Sequence, residues 1–252
     1  MRQRKAKDLE TRLAACTDFI YKTQGDKPLL SKVFSGHREL CVEVGSGKGQ
    51  FIIKRAALNP DVDYMGIEGQ ETVVLRAAEK ARAVSGKMEW PENVPGEERL
   101  EGLSSPLENL KFVNCFVENM PELFDENQLA GVYLNFSDPW PKARHAKRRL
   151  TYHRRLLDYA WAIRDGGFIE IKTDNEGLFA STLEEIEICQ GMAKEKDGVP
   201  FLEMVEMTRD LHCIGEEDGG EKYEAAEITT EYEDKFSGRG KNINYVKLIV
   251  NK

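Results

Sequence analysis

The sequence lacks any run of eighteen apolar residues, so it offers no segment that would cross a bilayer as a helix. It also lacks a C-x-x-C pair. Its five cysteines, Cys16, Cys41, Cys115, Cys189 and Cys213, are odd in number and widely scattered, which argues against both a disulfide framework and a zinc knuckle. The opening residues Met1-Arg2-Gln3-Arg4-Lys5-Ala6-Lys7 are charged with no apolar stretch behind them, so no secretory leader is expected. A soluble protein of the reducing cytoplasm, without membrane or metal, fits these absences. The last absence is local: no acid lies between Asp138 and Asp158, although the whole chain carries a formal charge of −8.

What is present is a chain of 252 residues, 40% hydrophobic, long enough to bury one substantial core. We read it as a single domain over residues 1–252. An extension over 1–37 carries a short amphipathic helix from about residue 3 to 16, with Leu9, Leu13 and Ala14 at helical spacing. Residues 85–109 change to Gly, Pro, Glu and Ser without a clear period and read as a mobile insertion loop. Acids crowd residues 216–234 and the neighbourhood of Glu97, Glu98 and Glu101. The charge is therefore polarised, and a basic face can attract phosphate even on an acidic protein.

Between these regions strands alternate with helices. Leu40-Cys41-Val42-Glu43-Val44 is a β-rich run ending in glycines, and 51–58 reads as a helix stopped by Asn59-Pro60. Tyr64-Met65-Gly66-Ile67 makes a second strand ending in Glu68, followed by a helix over 72–83. Strands over 111–116, 132–136 and 168–172 alternate with helices over 148–163 and 176–189. Such alternation predicts an α/β fold of parallel β-α-β units. The finish differs, because 201–207 and 243–250 read as strands with no long helix between them, an antiparallel close to the sheet.

The segment Glu43-Val44-Gly45-Ser46-Gly47-Lys48-Gly49 places three glycines at alternate positions where a strand turns into a helix. Glycine permits tight turning and close approach of a ligand, and the helix start supplies free N–H donors. Dinucleotide binders use G-x-G-x-x-G, whereas the sixth position here is Gln50; a P-loop needs Ser or Thr after its Gly-Lys, whereas Lys48 is followed by Gly49. Glu68, at the end of the next strand, is placed to accept both hydroxyls of a ribose. A ligand with a ribose but no phosphates fits, and S-adenosyl-L-methionine is the common one. The plainer alternative is a tight turn beside a solvated strand end.

A second constellation is Asn135-Phe136-Ser137-Asp138-Pro139-Trp140-Pro141-Lys142, followed by Arg144, Lys147, Arg148, Arg149, Arg154 and Arg155. The prolines forbid helix and hold the chain extended. An acid and an aromatic ring thus stand at the edge of a strongly positive surface, which suits a base whose phosphates lie on the basic flank. Plainer readings make Trp140 a core anchor and Lys147–Arg149 a solvated helix face. His145 and His153 lack a ligand set for metal and read as surface residues facing phosphate.

EVGSGKGQF, GIE, YLNFSDPWPKARHAKRRLTY, FIEIKTDNEGLF and TEYEDKF occur in that order. The combination resembles the bacterial tRNA (guanine-N7-)-methyltransferase family from about residue 38 onward, the 85–109 loop excepted. The resemblance implies a class I, Rossmann-like methyltransferase: a mostly parallel seven-stranded sheet with helices on both faces and an antiparallel C-terminal strand. It implies S-adenosyl-L-methionine as donor and the variable-loop guanine of tRNA, position 46, as acceptor. Glu43, Gly45, Gly47, Gly49, Glu68 and Asp138 fall at cofactor positions, and Asp138 also at the proposed catalytic one. Where members carry an acid or amide near the adenine, this chain has Phe116, with Glu118 two residues on. Lys142, Asp174 and Thr230-Glu231-Tyr232-Glu233 fall at substrate positions, and Arg144, Lys147, Arg148 and Arg149 on the tRNA phosphates. Asp174 or Glu233 would accept from the N1–H and N2–H₂ donors of guanine. In plainer readings Asp174 caps the helix near Glu176, and Glu231 and Glu233 are solvated acids.

Guanine N7 has a free lone pair, so no general base is needed, and a carboxylate at Asp138 would stabilise charge moving toward the purine. A methyltransferase for a small molecule or protein would leave the basic block idle, and a tRNA-binding module without catalysis is the rival of another class. Monomer and homodimer both fit the sequence.

Overall fold

The computed structural model describes residues 8–21, 33–34, 38–91, 94–95, 99–100, 102–117, 120–213, 223–237 and 241–252. The start of the expected N-terminal helix, Glu97, Glu98, Glu101, Glu118 and the acids at 216–221 lie outside these residues. The chain divides into two compact units, Met1–Glu118 and Asn119–Lys252.

The first unit contains α1 (Leu9–Ala15), β1 (Ile20–Tyr21), β2 (Glu39–Val44), α2 (Gln50–Leu58), β3 (Val62–Glu68), α3 (Glu71–Val84) and β4 (Leu110–Asn114). Its strands run parallel in the order β1-β4-β3-β2. Leu40, Cys41, Val42 and Val44 are all buried, the near-continuous apolar run that a strand covered on both faces requires. The pairing of Ile20–Tyr21 with β4 adds a strand to the seven expected, a contribution too short to show a period. α1 is docked by its buried Leu13 and by Arg12, which donates to both oxygens of Glu79 on α3 at 2.8 and 2.7 Å. In the 85–109 segment Val94, Leu100 and Leu107 are buried. Its last residue, Asn109, donates from Nδ2 to the carbonyls of Ala56, Asn59 and Val62, binding the end of α2 to the start of β3.

The second unit contains β5 (Leu129–Asn135), a short 3-10 helix (Ala143–Arg148), α4 (His153–Ala162), β6 (Ile163–Thr173), α5 (Glu176–Glu195), β7 (Phe201–Thr208), α6 (Glu231–Ser237) and β8 (Asn244–Asn251). The order is β5-β6-β8-β7, with β5 and β6 parallel and β8 antiparallel to both neighbours, the close that the sequence predicts. The helix expected to start at 148 begins at His153, because 143–148 winds as a tighter 3-10 turn. It ends at Ala162 because Ile163 is already extended and pairs with Leu129; the register then shifts so that Gly131 faces Phe168. α5 runs past the expected residue 189 to Glu195, continuing through Gly191.

Candidate functional site

In the first unit β2 carries the buried Glu43 one residue before its end and the chain turns back on β3: the N–H groups of Gly45 and Ser46 both donate to Ile67 O, at 2.8 and 3.0 Å. Gly45, Gly47 and Gly49 have φ of +77°, +54° and +77°, a left-handed conformation that glycine alone adopts without strain. At position 49 a side chain would also collide, since a Cβ would lie 2.9 Å from Ala77 Cβ and 3.0 Å from the Phe112 ring; at position 47 it would meet open space. Glu68 is tied into the same turn. Its Oε2 accepts from Gly47 N at 3.2 Å and its Oε1 from Gln70 N at 2.9 Å, which leaves each oxygen a second acceptor position. The hydroxyl of Ser46 is buried with no hydrogen-bond partner among the described residues.

Phe116 lies beyond the strand expected to contain it, because β4 ends at Asn114. Its ring covers Gly69, where a Cβ would be 2.2 Å from the ring, and is 75% exposed. Burial pushes the neighbouring Cys115 thiol up to about 11, so this cysteine is chemically quiet.

In the second unit Phe136 N donates to Lys172 O at 2.8 Å, extending the β5–β6 ladder to the edge of the proline turn. Phe136 and Trp140 both have positive φ, +50° and +39°, and Asp138 between them is exposed, with no ion-pair or hydrogen-bond partner among the described residues. Lys142, Arg144, Lys147 and Arg148 are exposed. Trp140 is half-buried; Arg148 lies 4.9 Å over its ring and His145 meets it edge-on at 5.7 Å. Arg149 departs from expectation. It points inward, donating to Pro139 O, Trp140 O and Ser181 Oγ at 3.1, 3.1 and 2.5 Å, so its donors serve the turn rather than a phosphate. His153 departs likewise: its Nδ1 is 2.6 Å from Glu185 Oε2, a contact between α4 and α5.

Thr230-Glu231-Tyr232-Glu233 opens α6 as a reciprocal cap: Glu233 N donates to Thr230 Oγ1 at 3.0 Å, and Thr230 N to Glu233 Oε2 at 2.7 Å. Glu233 is fully buried, so it is neither a solvated acid nor open to a guanine edge. Lys172 Nζ lies 3.1 Å from its Oε1 and also donates to Ala225 O and Ile228 O, and His212 Nε2 lies 3.3 Å from the same carboxylate. Burial alone would raise the Glu233 carboxyl; His212, Lys172 and the Thr230 N–H together hold it below the usual range. Tyr232 is exposed and stacks on Phe136, with ring centroids 5.8 Å apart and planes 13° from parallel. Asp174 does not cap α5; Asn175 does, accepting from Leu178 N at 2.8 Å. Asp174 instead pairs with Lys241 at 3.2 Å.

The structure thus brings Gly45, Gly47, Gly49 and Glu68 together in one unit, and Phe136, Asp138, Trp140 and Arg149 around one turn of the other. Sequence reasoning missed Lys172 and His212, gave Phe136 no role of its own, and placed Arg149 on the phosphates. The T-x-x-E spacing before α6 was the available signal for the cap; nothing local marks Lys172 as the partner of Glu233.

The profile of a family described as "Putative methyltransferase" matches residues 37–246. Among solved structures, the 16S rRNA methyltransferase KamB superposes with a TM-score of 0.57 at 13% identity, covering 91% of this chain and 96% of that one. An antibiotic-related methyltransferase gives 0.50 at 15% identity, covering 87% and 90%. With the strand order and glycine turn above, these likenesses define a class I methyltransferase fold. The tRNA (guanine-N(7)-)-methyltransferase of Mesoplasma florum is 39% identical over 224 residues, 88% of this chain and 86% of that protein. The enzyme of the same name from Limosilactobacillus reuteri is 39% identical over 218 residues, 86% of this chain and 83% of that protein. The chain belongs to the tRNA (guanine-N7-)-methyltransferase family. Among the described residues no group of three or more His, Cys, Asp or Glu is arranged to hold a metal, and no helix is long and apolar enough to cross a membrane.

Proposed function

We propose that this protein transfers a methyl group from S-adenosyl-L-methionine to N7 of a guanine in the variable loop of tRNA, position 46, in the cytoplasm. The observation that carries the reading is the proline turn, where Asp138 is exposed, without a partner among the described residues, beside the exposed cations Lys142, Arg144 and Lys147. A methyltransferase for small molecules has no use for such a rim.

The first unit suits the donor. Glu68 keeps two acceptor positions for ribose hydroxyls, the face of Gly47 is open to close approach, and the exposed Phe116 ring offers an apolar platform for adenine in place of an acid or amide. Glu43, buried one residue before the end of β2, leads into the same turn. S-adenosyl-L-methionine supplies an electrophilic methyl on a sulfonium. Because guanine N7 already presents a lone pair, the chain's own residues have only to position the base and stabilise charge. Asp138 is the group for the second task. Lys142, Arg144, Lys147 and Arg148 bind phosphate, the Phe136–Tyr232 pair presents a ring face to the base, and Asp174 accepts from the guanine edge, Glu233 being committed internally.

The test is transfer of labelled methyl groups to tRNA lacking 7-methylguanosine, with the product mapped to a nucleotide. One 7-methylguanosine in the variable loop is expected, and free guanosine should be a poor acceptor. Methylation at another nucleotide or atom, or equal use of free guanosine, would overturn the proposal.

A further inference from the structure

The turn that carries Asp138 is built against the preferences of its own backbone. Phe136 and Trp140 occupy the left-handed region at φ of +50° and +39°, where bulky side chains are disfavoured, and Trp140 precedes Pro141, which adds its own restriction. Such a conformation persists only where surrounding contacts over-determine it. At Phe136 they are the bond to Lys172 O and the Tyr232 ring; around Trp140 they centre on one side chain. Arg149 uses one edge of its guanidinium, Nε and Nη2, on two successive carbonyls, Pro139 O and Trp140 O, each at 3.1 Å; Nη1 donates to Ser181 Oγ on α5 at 2.5 Å. The planar fork suits this arrangement and a lysine ammonium does not. Arg148, next in the chain, instead covers the Trp140 ring from the exposed side.

We infer that Arg149 is a positioning residue for Asp138, anchoring the 136–140 turn to α5, and is not a phosphate contact; the inference rests on the reading of Asp138 given above. The basic run is then divided in labour. Lys142, Arg144 and Lys147 face solvent, whereas Arg149 uses its charge inside the protein.

The experiment compares R149K and S181A with the unaltered enzyme, each with and without D138N. It follows turnover, tRNA affinity across a salt series, and melting temperature. R149K keeps the charge and loses the fork, and is expected to lower kcat by about 10- to 100-fold, the scale of a small misplacement of a reacting group. Its tRNA affinity and salt slope should match the parent's. S181A removes one acceptor, leaves Arg149 in place and should give a smaller kcat loss in the same direction. Because Arg149 acts through Asp138, R149K should cause little further loss once D138N is present. If R149K preserves kcat, or if its loss multiplies with that of D138N, the inference falls. In R149M, which removes the charge, the salt slope should still match the parent's; a flattening by about 0.7–0.9 there would return Arg149 to the phosphates. Full turnover by D138N would instead overturn the reading of Asp138 itself, and with it this inference; loss in D138N without loss in R149K overturns the inference alone.

Discussion

The glycine turn after β2 and the proline turn after β5 solve the same problem, holding an acid at the end of a strand, with opposite materials. The first is made of backbone: three left-handed glycines, carbonyl bonds to Ile67, and Glu68 accepting from the Gly47 and Gln70 amides. The second is made of side chains from distant parts of the sequence: Arg149 on two carbonyls, Tyr232 on Phe136, and the Lys172–Glu233 pair fixing the start of α6. A backbone turn fails when a Cβ is added. A side-chain turn fails when a partner is removed, and the largest failures should lie there.

Removing the Glu233 carboxylate should be the most damaging single change. Glu233→Ala leaves the Lys172 ammonium buried and uncompensated, which is expected to cost about 3–5 kcal/mol in urea unfolding. The pH dependence has a definite sign. Because the folded-state carboxyl is held below its ordinary value, its contribution is present above the unfolded value of about 4.3 and is lost as pH falls through the folded one. The stability gap between the parent and Glu233→Gln should therefore narrow on acidification below about pH 4.3. A gap that widened instead would mean that Glu233 is not the ionised partner of Lys172.

Next in size is the chemistry. Asp138→Asn should lower kcat by about 10²–10³-fold, the scale of losing one preorganised electrostatic group, while S-adenosyl-L-methionine affinity measured by calorimetry stays close to that of the parent. Equal loss of both would make Asp138 a binding residue and bring the two turns closer in role.

The contrast also explains what the sequence revealed. Alternating strands and helices, the glycine turn and the antiparallel close were legible because each depends on neighbours within a few residues, and the structure bears out the α/β fold they predict. The ends of α4 and β6 were not, because Ile163 leaves the helix to pair with Leu129, a partner far away in sequence. Reading the cations from Lys142 to Arg149 as one face failed for the same reason: a count of charges cannot tell Lys147, which faces solvent, from Arg149, whose acceptors belong to the turn and to α5. Asp174 was the cap that composition offered for α5, and the bond from Leu178 N gives that place to Asn175 instead.

Within the backbone-built turn, position should matter more than composition. Gly49→Ala adds left-handed strain to contacts of 2.9 Å with Ala77 and 3.0 Å with Phe112, and about 2–4 kcal/mol is expected from strain and overpacking together. Gly47→Ala meets no atom within 4 Å and should cost only the conformational part, about 1–2 kcal/mol. Equal losses in urea unfolding would mean that the turn relaxes freely and that its rigidity has been overstated.

The smallest effect expected separates the exposed cations from the inward one. Lys147 is exposed on the 3-10 helix and makes no hydrogen bond or ion pair among the described residues, so Lys147→Ala should leave melting temperature unchanged. If it neutralises one tRNA phosphate, its loss should reduce the slope of log affinity against log salt by about 0.7–0.9 and weaken binding most at low salt. Turnover at saturating tRNA should be preserved, because a phosphate contact away from the base contributes to binding rather than to the transition state. An unchanged slope would make Lys147 an ordinary solvated charge and narrow the phosphate surface to Lys142, Arg144 and Arg148. A kcat loss at saturation would instead place Lys147 with Arg149 among the residues that shape the turn, and the division of the basic run would fail at its most exposed member.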